Sequence, residues 1–341
     1  MCIRDRIKLP ENIHDIVLLK KDGIPTYHFA HAIDDHLMRT TTVVRGGEWL
    51  ASAPIHYELF HLLGFKMPAY AHTAHLMKFD EETGGKRKLS KRKDPELSLD
   101  YYRKDGYHPY TMKVYLLTLL NSNFEEWHEK FPDKDINEFP FSVEKMNQSG
   151  ALFDKDKLHN ICKNELSKLS EEELYDFLYD WAKENEPENV EKWFGDREKM
   201  LQILRLYMGV GAKRRRKDLM YAKQIFELIS YFFDGESAEE MDEFKLDEDM
   251  VSKILKSYLA KYDHNDDNSV WFNKLKEIAD EHGFASDMKA YKANPENFKG
   301  NVSDIAEAVR IAVTGRANTP DLWTIVHITV SYTHLTLPTN S

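Results

Sequence analysis

The pattern of apolar and polar positions changes character near residue 95. Before it, short β-rich apolar runs alternate with helical ones. Residues 16–19 (Ile-Val-Leu-Leu) and 42–44 (Thr-Val-Val) read as strands. Residues 54–63 read as a helix, with Ser52 or Ala53 near the N-cap, Pro54 in the first turn and Gly64 as the stop. Ile55, Leu59, Leu62 and Leu63 share one face of that helix and are predicted core. Strand–helix alternation predicts an α/β sheet, with too few strands for a complete doubly wound domain. After residue 95 the period is helical almost throughout. Residues 110–120 form one predicted helix and 166–181 another, with Ser170 capping its second part and Glu173 completing a capping box. The helical pattern continues through residues 186–328.

Composition adds limits rather than detail. The 341 residues leave room for two or three domains; 42% are hydrophobic, 31% are charged, and the net charge is −11. No apolar run approaches the roughly 20 residues of a membrane span, and none near the start resembles a secretory signal. Cys2 and Cys162 match no zinc spacing, so the chain reads as cytosolic and free of disulfides. Net acidity argues against indiscriminate coating of nucleic acid but leaves local contact open. Nine acids between Asp234 and Asp249, with Lys245 the only base, read as a solvated connection. Residues 1–6 and 329–341 are suspected non-native tips, because both resemble translated sequencing-adapter sequence and no Asp, Glu, Lys or Arg follows Leu322. The other reading of the tail is a native Thr-rich end.

Against this acidic background stands Gly85-Lys86-Arg87-Lys88-Leu89-Ser90-Lys91-Arg92-Lys93, with six cations in nine residues. A mobile loop gathering such charge suits a polyphosphate, whose leaving-group charge fixed cations stabilise. A solvated basic turn and a nonspecific nucleic-acid patch are its plainer readings. Lys213-Arg214-Arg215-Arg216-Lys217 is a second basic cluster, open to nucleic-acid phosphate contact or to a role as an exposed helix start. Arg45 ends a predicted strand, where α/β sheets place ligand groups, and its planar fork suits bidentate capture of a carboxylate. An ion pair with Glu48 is the structural alternative. Tyr27 and His31 lie one helical turn apart.

Three motifs carry a family resemblance in order along the chain. They are residues 22–38 (Asp-Gly-Ile-Pro-Thr-Tyr-His-Phe-Ala-His-Ala-Ile-Asp-Asp-His-Leu-Met), 43–50 (Val-Val-Arg-Gly-Gly-Glu-Trp-Leu) and 88–92 (Lys-Leu-Ser-Lys-Arg). Together they resemble the glutamyl-tRNA synthetases of class I. Residues 150–158 resemble that family's stem-contact segment, and Phe232-Phe233 with residues 310–316 resemble its helical anticodon-binding cage. The resemblance implies residues 7–94 as the C-terminal half of a Rossmann-type catalytic domain, 95–185 as a helical stem-contact region and 186–328 as a helical anticodon-binding domain. It implies a chain without the N-terminal half of the catalytic fold, and so without adenylate synthesis of its own. The implied activity is ATP-dependent activation of glutamate, with Mg²⁺, and transfer to tRNA(Glu) or also tRNA(Gln). The implied ATP contacts are Lys88, Ser90, Lys91, Arg92 and Glu48, with Lys91 on the α-phosphate; Trp49 falls beside them. The implied glutamate contacts are Tyr27, Arg45 and His31, where the family commonly has Asn. No membrane, no protein-bound zinc and a monomer are expected. Glutaminyl-tRNA synthetase and a noncatalytic tRNA-binding paralogue are the alternatives.

Two metal-like patterns fail on inspection. Asp263, Asn265 and Asp267 space like an EF-hand opening, but Asn268 replaces its Gly and Lys274 its terminal Glu. The sets His28, His31, His36 and His72, His75 form no His-Glu-x-x-His pattern.

Overall fold

The computed structural model describes residues 12–13, 15–80, 83–147, 150–233 and 241–330. Cys2, the terminal tips apart from residues 329–330, and acids 234–240 of the acidic connection lie outside the described residues. Two compact units are formed, one from Met1–Tyr102 with Pro109–Ile161 and the other from Arg103–His108 with Cys162–Ser341.

The first unit is mixed α/β. It runs α1 (Tyr27–Leu37), β1 (Thr42–Gly46), a 3₁₀ turn (Gly47–Ser52), α2 (Ala53–Leu62), β2 (Ala69–Thr73), β3 (Leu76–Phe79) and β4 (Lys86–Lys88). Then come α3 (Leu99–Asp105), α4 (Pro109–Leu120), α5 (Phe124–Lys130), β5 (Ala151–Leu152) and α6 (Lys155–Leu166), the last residues of α3 from Arg103 and of α6 from Cys162 belonging to the second unit. β1 and β2 pair in parallel through α2, with Arg45 opposite His72. β3 pairs antiparallel with β4 and parallel with β5. The predicted α/β sheet is thus two small sheets, a parallel pair β1–β2 and a mixed three-stranded sheet β4–β3–β5.

The predicted helix at 54–63 is present, but its buried face is Ala53, His56, Leu59 and Phe60. Leu62 is exposed rather than core. It lies three residues after Leu59, yet the core of Ala32, Leu59 and Phe60 takes Ile55 and Leu63 as its partly buried neighbours instead. The expected strand at 16–19 is absent. A tight turn at Lys20–Gly23, with Gly23 at φ +81°, folds the segment back so that only Leu19 bridges Pro25.

The second unit is helical. Its elements are α7 (Glu171–Asn185), α8 (Val190–Phe194), α9 (Arg197–Met208), α10 (Ala222–Ile229), α11 (Glu248–Lys261), α12 (Asn268–His282), α13 (Met288–Ala293), α14 (Val302–Thr314) and α15 (Leu322–Val330). The predicted helix at 166–181 is two helices. α6 stops at Leu166, and Ser170 starts α7 with the expected capping box to Glu173. One buried cluster is built on α7, α9 and α10, including Phe232 and Phe233, and another on α11, α12 and α14. The described acids of the connection are not merely solvated: Asp242 accepts the Ala317 N–H, and Asp247 caps α11 through the Met250 N–H. The EF-hand-like Asp267 is likewise a helix cap, accepting the Val270 N–H.

Candidate functional site

Arg45 sits one residue from the C-terminal end of β1, only 9% exposed. Its Nε donates to His72 Nε2 at 3.1 Å, Nη1 to His56 Nδ1 at 2.8 Å and Nη2 to the Trp49 carbonyl at 3.3 Å. The guanidinium also lies over the Tyr70 ring, 4.5 Å from its centroid. No carboxylate stands within ion-pairing distance of it among the described residues, so the alternative pair with Glu48 is not formed. Glu48 faces His75 instead, at 3.3 Å. One N–H on each terminal nitrogen remains for a ligand. A buried guanidinium without a counter-ion is costly unless something anionic completes it.

The walls around this cation are aromatic and neutral. Tyr27 stacks on His31 at 5.6 Å and leans on Trp49 at 4.2 Å. His31 Nε2 stands 2.7 Å from the Tyr70 hydroxyl, and Nδ1 lies 2.6 Å from Asp35 Oδ2 one turn away, an ion-pair distance without hydrogen-bond geometry. Burial and the Arg45 and His28 charges hold its pKa below the ordinary value, against the pull of Asp35. His56, fully buried, is held down to about 3 by burial first and by the Arg45 charge next. Burial and Arg45 also depress His72, while burial raises the Tyr70 hydroxyl.

The basic run is braced rather than a free coil. Lys86–Lys88 is strand β4, and Gly84 turns into it at φ +68°. Arg87 is taken by Asp94, which accepts from both terminal guanidinium nitrogens at 2.7 Å and from the Ser90 N–H at 2.8 Å. That bidentate pair holds the Asp94 carboxyl well below the usual carboxylate range and closes the turn from Ser90 to Asp94. Leu89, 2% exposed, pins the turn to the protein. Lys88, Lys91 and Arg92 are left exposed and pair with no carboxylate among the described residues. Glu48 is held ionised by its own backbone N–H, with a further pull from the charges of Lys88 and His75.

The sequence singled out Tyr27, His31 and Arg45, and the fold brings them together with Trp49. It missed Asp35, His56, Tyr70 and His72 as parts of the same cluster. Two of these left a trace: Asp35 follows His31 by four, and His56 is a polar residue on the apolar face of a predicted helix. Tyr70 and His72 depend on the β1–β2 register, which no local pattern gives. In the second unit Lys213–Lys217 is a loop before α10, not a helix start, since no helical run begins until Ala222. Arg216 turns back to Asp218, and Lys217 donates to Asn164. Among the described residues no group of three His, Cys, Asp or Glu could hold a metal ion, and no helix is long and apolar enough to cross a membrane.

β1 and β2 pair in parallel, and Arg45, near the C-terminal end of β1, has no carboxylate partner among the described residues; open α/β sheets bind their ligands at such strand ends. Residues 2–160 match the family model described as tRNA synthetases class I (E and Q), catalytic domain. Within the class its sequence follows the glutamate–tRNA ligases. It is 55% identical to the glutamate–tRNA ligase of Acetivibrio thermocellus over 96% of this chain and 59% of the relative. The Clostridium perfringens glutamate–tRNA ligase is 45% identical over 96% of this chain and 60% of its own length. The chain thus spans about 60% of the length of the curated relatives it matches. The fold is similar to a solved glutamate tRNA ligase of Elizabethkingia meningosepticum in complex with its amino acid, with TM-score 0.63, 24% identity, and coverage of 93% of this chain and 60% of that one.

Proposed function

We propose that this chain contributes the glutamate and triphosphate contacts of a glutamate–tRNA ligase. The observation that carries the reading is Arg45, a buried guanidinium held by neutral groups and lacking a carboxylate partner among the described residues. A substrate carboxylate completes it as a charge-assisted pair. Tyr27, whose ring is nearly half exposed, offers its hydroxyl to the same ligand. His31, with Nε2 on the Tyr70 hydroxyl and Nδ1 turned to Asp35, serves as wall rather than as donor.

In this account a glutamate carboxylate oxygen attacks the α-phosphorus of ATP, and pyrophosphate departs with the electrons of the broken P–O bond. No side chain need move a proton, because the nucleophile is already ionised. Lys91, with Lys88, Ser90 and Arg92, meets the growing charge on the phosphates, and Mg²⁺ enters with ATP as part of the substrate. Glu48 lies next to the loop, close enough to feel Lys88. The exposed cations Lys213, Arg214 and Arg215 offer a separate phosphate surface for tRNA, with Arg216 and Lys217 shaping the loop. Glutamate is favoured over glutamine because the relatives at 45–55% identity are glutamate–tRNA ligases.

A binding experiment on the chain separates the two readings of the basic turn. If Lys91 serves ATP, tRNA binding to the purified chain falls steeply with salt yet is unchanged in Lys91→Ala. Collapse of tRNA affinity in that variant makes the turn a nucleic-acid patch.

A further inference from the structure

Resting on the reading of Arg45 as a carboxylate clamp, we infer that His56 is the positioning residue of that clamp, orienting the guanidinium without cancelling its charge. Arginine has only donors, so His56 Nδ1, 2.8 Å from Nη1, must carry a lone pair. The neutral ring then has its proton on Nε2, which stands 3.0 Å from His28 Nδ1 and donates to it. The tautomers are therefore fixed along Arg45, His56 and His28. His72 holds Nε from the neighbouring strand in the same neutral way.

Buried arginines are ordinarily held by carboxylates, which fix the fork and also neutralise it. Here every element packed round His56 was spared that. α1 presents Tyr27, His28 and His31 to it, and β1 presents Arg45. Tyr70 and His72 of β2 lie on the other side of the guanidinium. The single acid of the cluster, Asp35, is turned to His31. A neutral imidazole gives direction and leaves the full charge for the ligand. Burial beside a cation keeps His56 in that form down to about pH 3.

The test is a charge swap at one position in the whole chain, with L-glutamate as the probe in calorimetry or NMR titration. His56→Gln keeps an acceptor without charge and is expected to bind glutamate within a few-fold of wild type. His56→Glu supplies the missing counter-ion; it is expected to keep or raise the melting temperature while glutamate affinity falls at least about tenfold. A merely structural His56 predicts the opposite, with Glu binding as well as Gln. Arg45→Ala is the control on the underlying reading: unchanged glutamate binding there, or no glutamate binding by wild type, sinks the clamp itself. Independently of any ligand, ¹⁵N-histidine spectra at pH 7 should show His56 protonated on Nε2 and bare on Nδ1. The reverse tautomer, or a charged ring, overturns the inference.

Discussion

Acid should destabilise the first unit through His56 well before its carboxylates titrate. The folded ring resists protonation until about pH 3, because burial and Arg45 oppose the charge, whereas an unfolded histidine titrates near 6.5. The unfolded chain therefore takes up a proton that the folded chain refuses. This contribution to stability is complete above about pH 6.5 and is lost progressively as pH falls towards 3. Integrated between pH 7 and pH 5, the loss is about 2 kcal/mol from His56 alone. His31 and His72 are depressed as well and act in the same direction. Glu48 and Asp94, also lowered, lose their contributions only at more acid pH, below the ordinary carboxylate range. Urea unfolding at the two pH values, followed by the methyl signals of Ala32 and Leu59, measures the change in the core that His56 shares. His56→Gln cannot titrate, so its loss on acidification should be smaller than that of wild type by about 2 kcal/mol, roughly a thirtyfold difference in unfolding constant. Equal losses in the two proteins would refute the account of a buried neutral imidazole.

Three further outcomes follow from packing. Gly106→Ala should lower the melting temperature of the second unit markedly, because φ is +79° there and a Cβ would overlap the Ala222 side chain. Ser170→Ala should cost about 1 kcal/mol in denaturant unfolding by removing the α7 capping box, while leaving the first unit unaffected. Phe60→Ala should cost about 3–5 kcal/mol in the unfolding of the first unit, since the ring is 1% exposed against Ala32 and Leu59.

What the sequence made legible was what local chemistry decides. The helices at 53–62 and 109–120, the Ser170 cap and the strand at 42–46 all announce themselves through periodicity, capping residues or β-branching. The strand expected at 16–19 failed because apolar β-branched residues need a neighbour to pair with, and the Lys20–Gly23 turn provides only a bridge. Leu62 failed because a helix face is set by what packs on it, and the chain placed Phe60 there. At the site the family motifs flagged Arg45, but its holders His56, Tyr70 and His72 come from a helix and a strand that meet only in three dimensions. Arg87 shows the converse: within a run of six cations nothing local marks the one that Asp94 removes from the ligand's reach.

The central claim is that Arg45 and Lys91 act on the two halves of one substrate pair, the acid and its nucleotide. It is tested most directly by glutamate-dependent ATP–pyrophosphate exchange in a chimera in which residues 12–330 replace the matching stretch of the 55% identical relative. The account predicts exchange in the chimera, with Lys91→Ala slowed about a hundredfold or more at saturating glutamate, about 3 kcal/mol of lost transition-state stabilisation. It predicts that Arg45→Ala is impaired chiefly through a raised KM for glutamate. Full exchange by Lys91→Ala at saturating glutamate, or an unchanged KM for glutamate in Arg45→Ala, would contradict it.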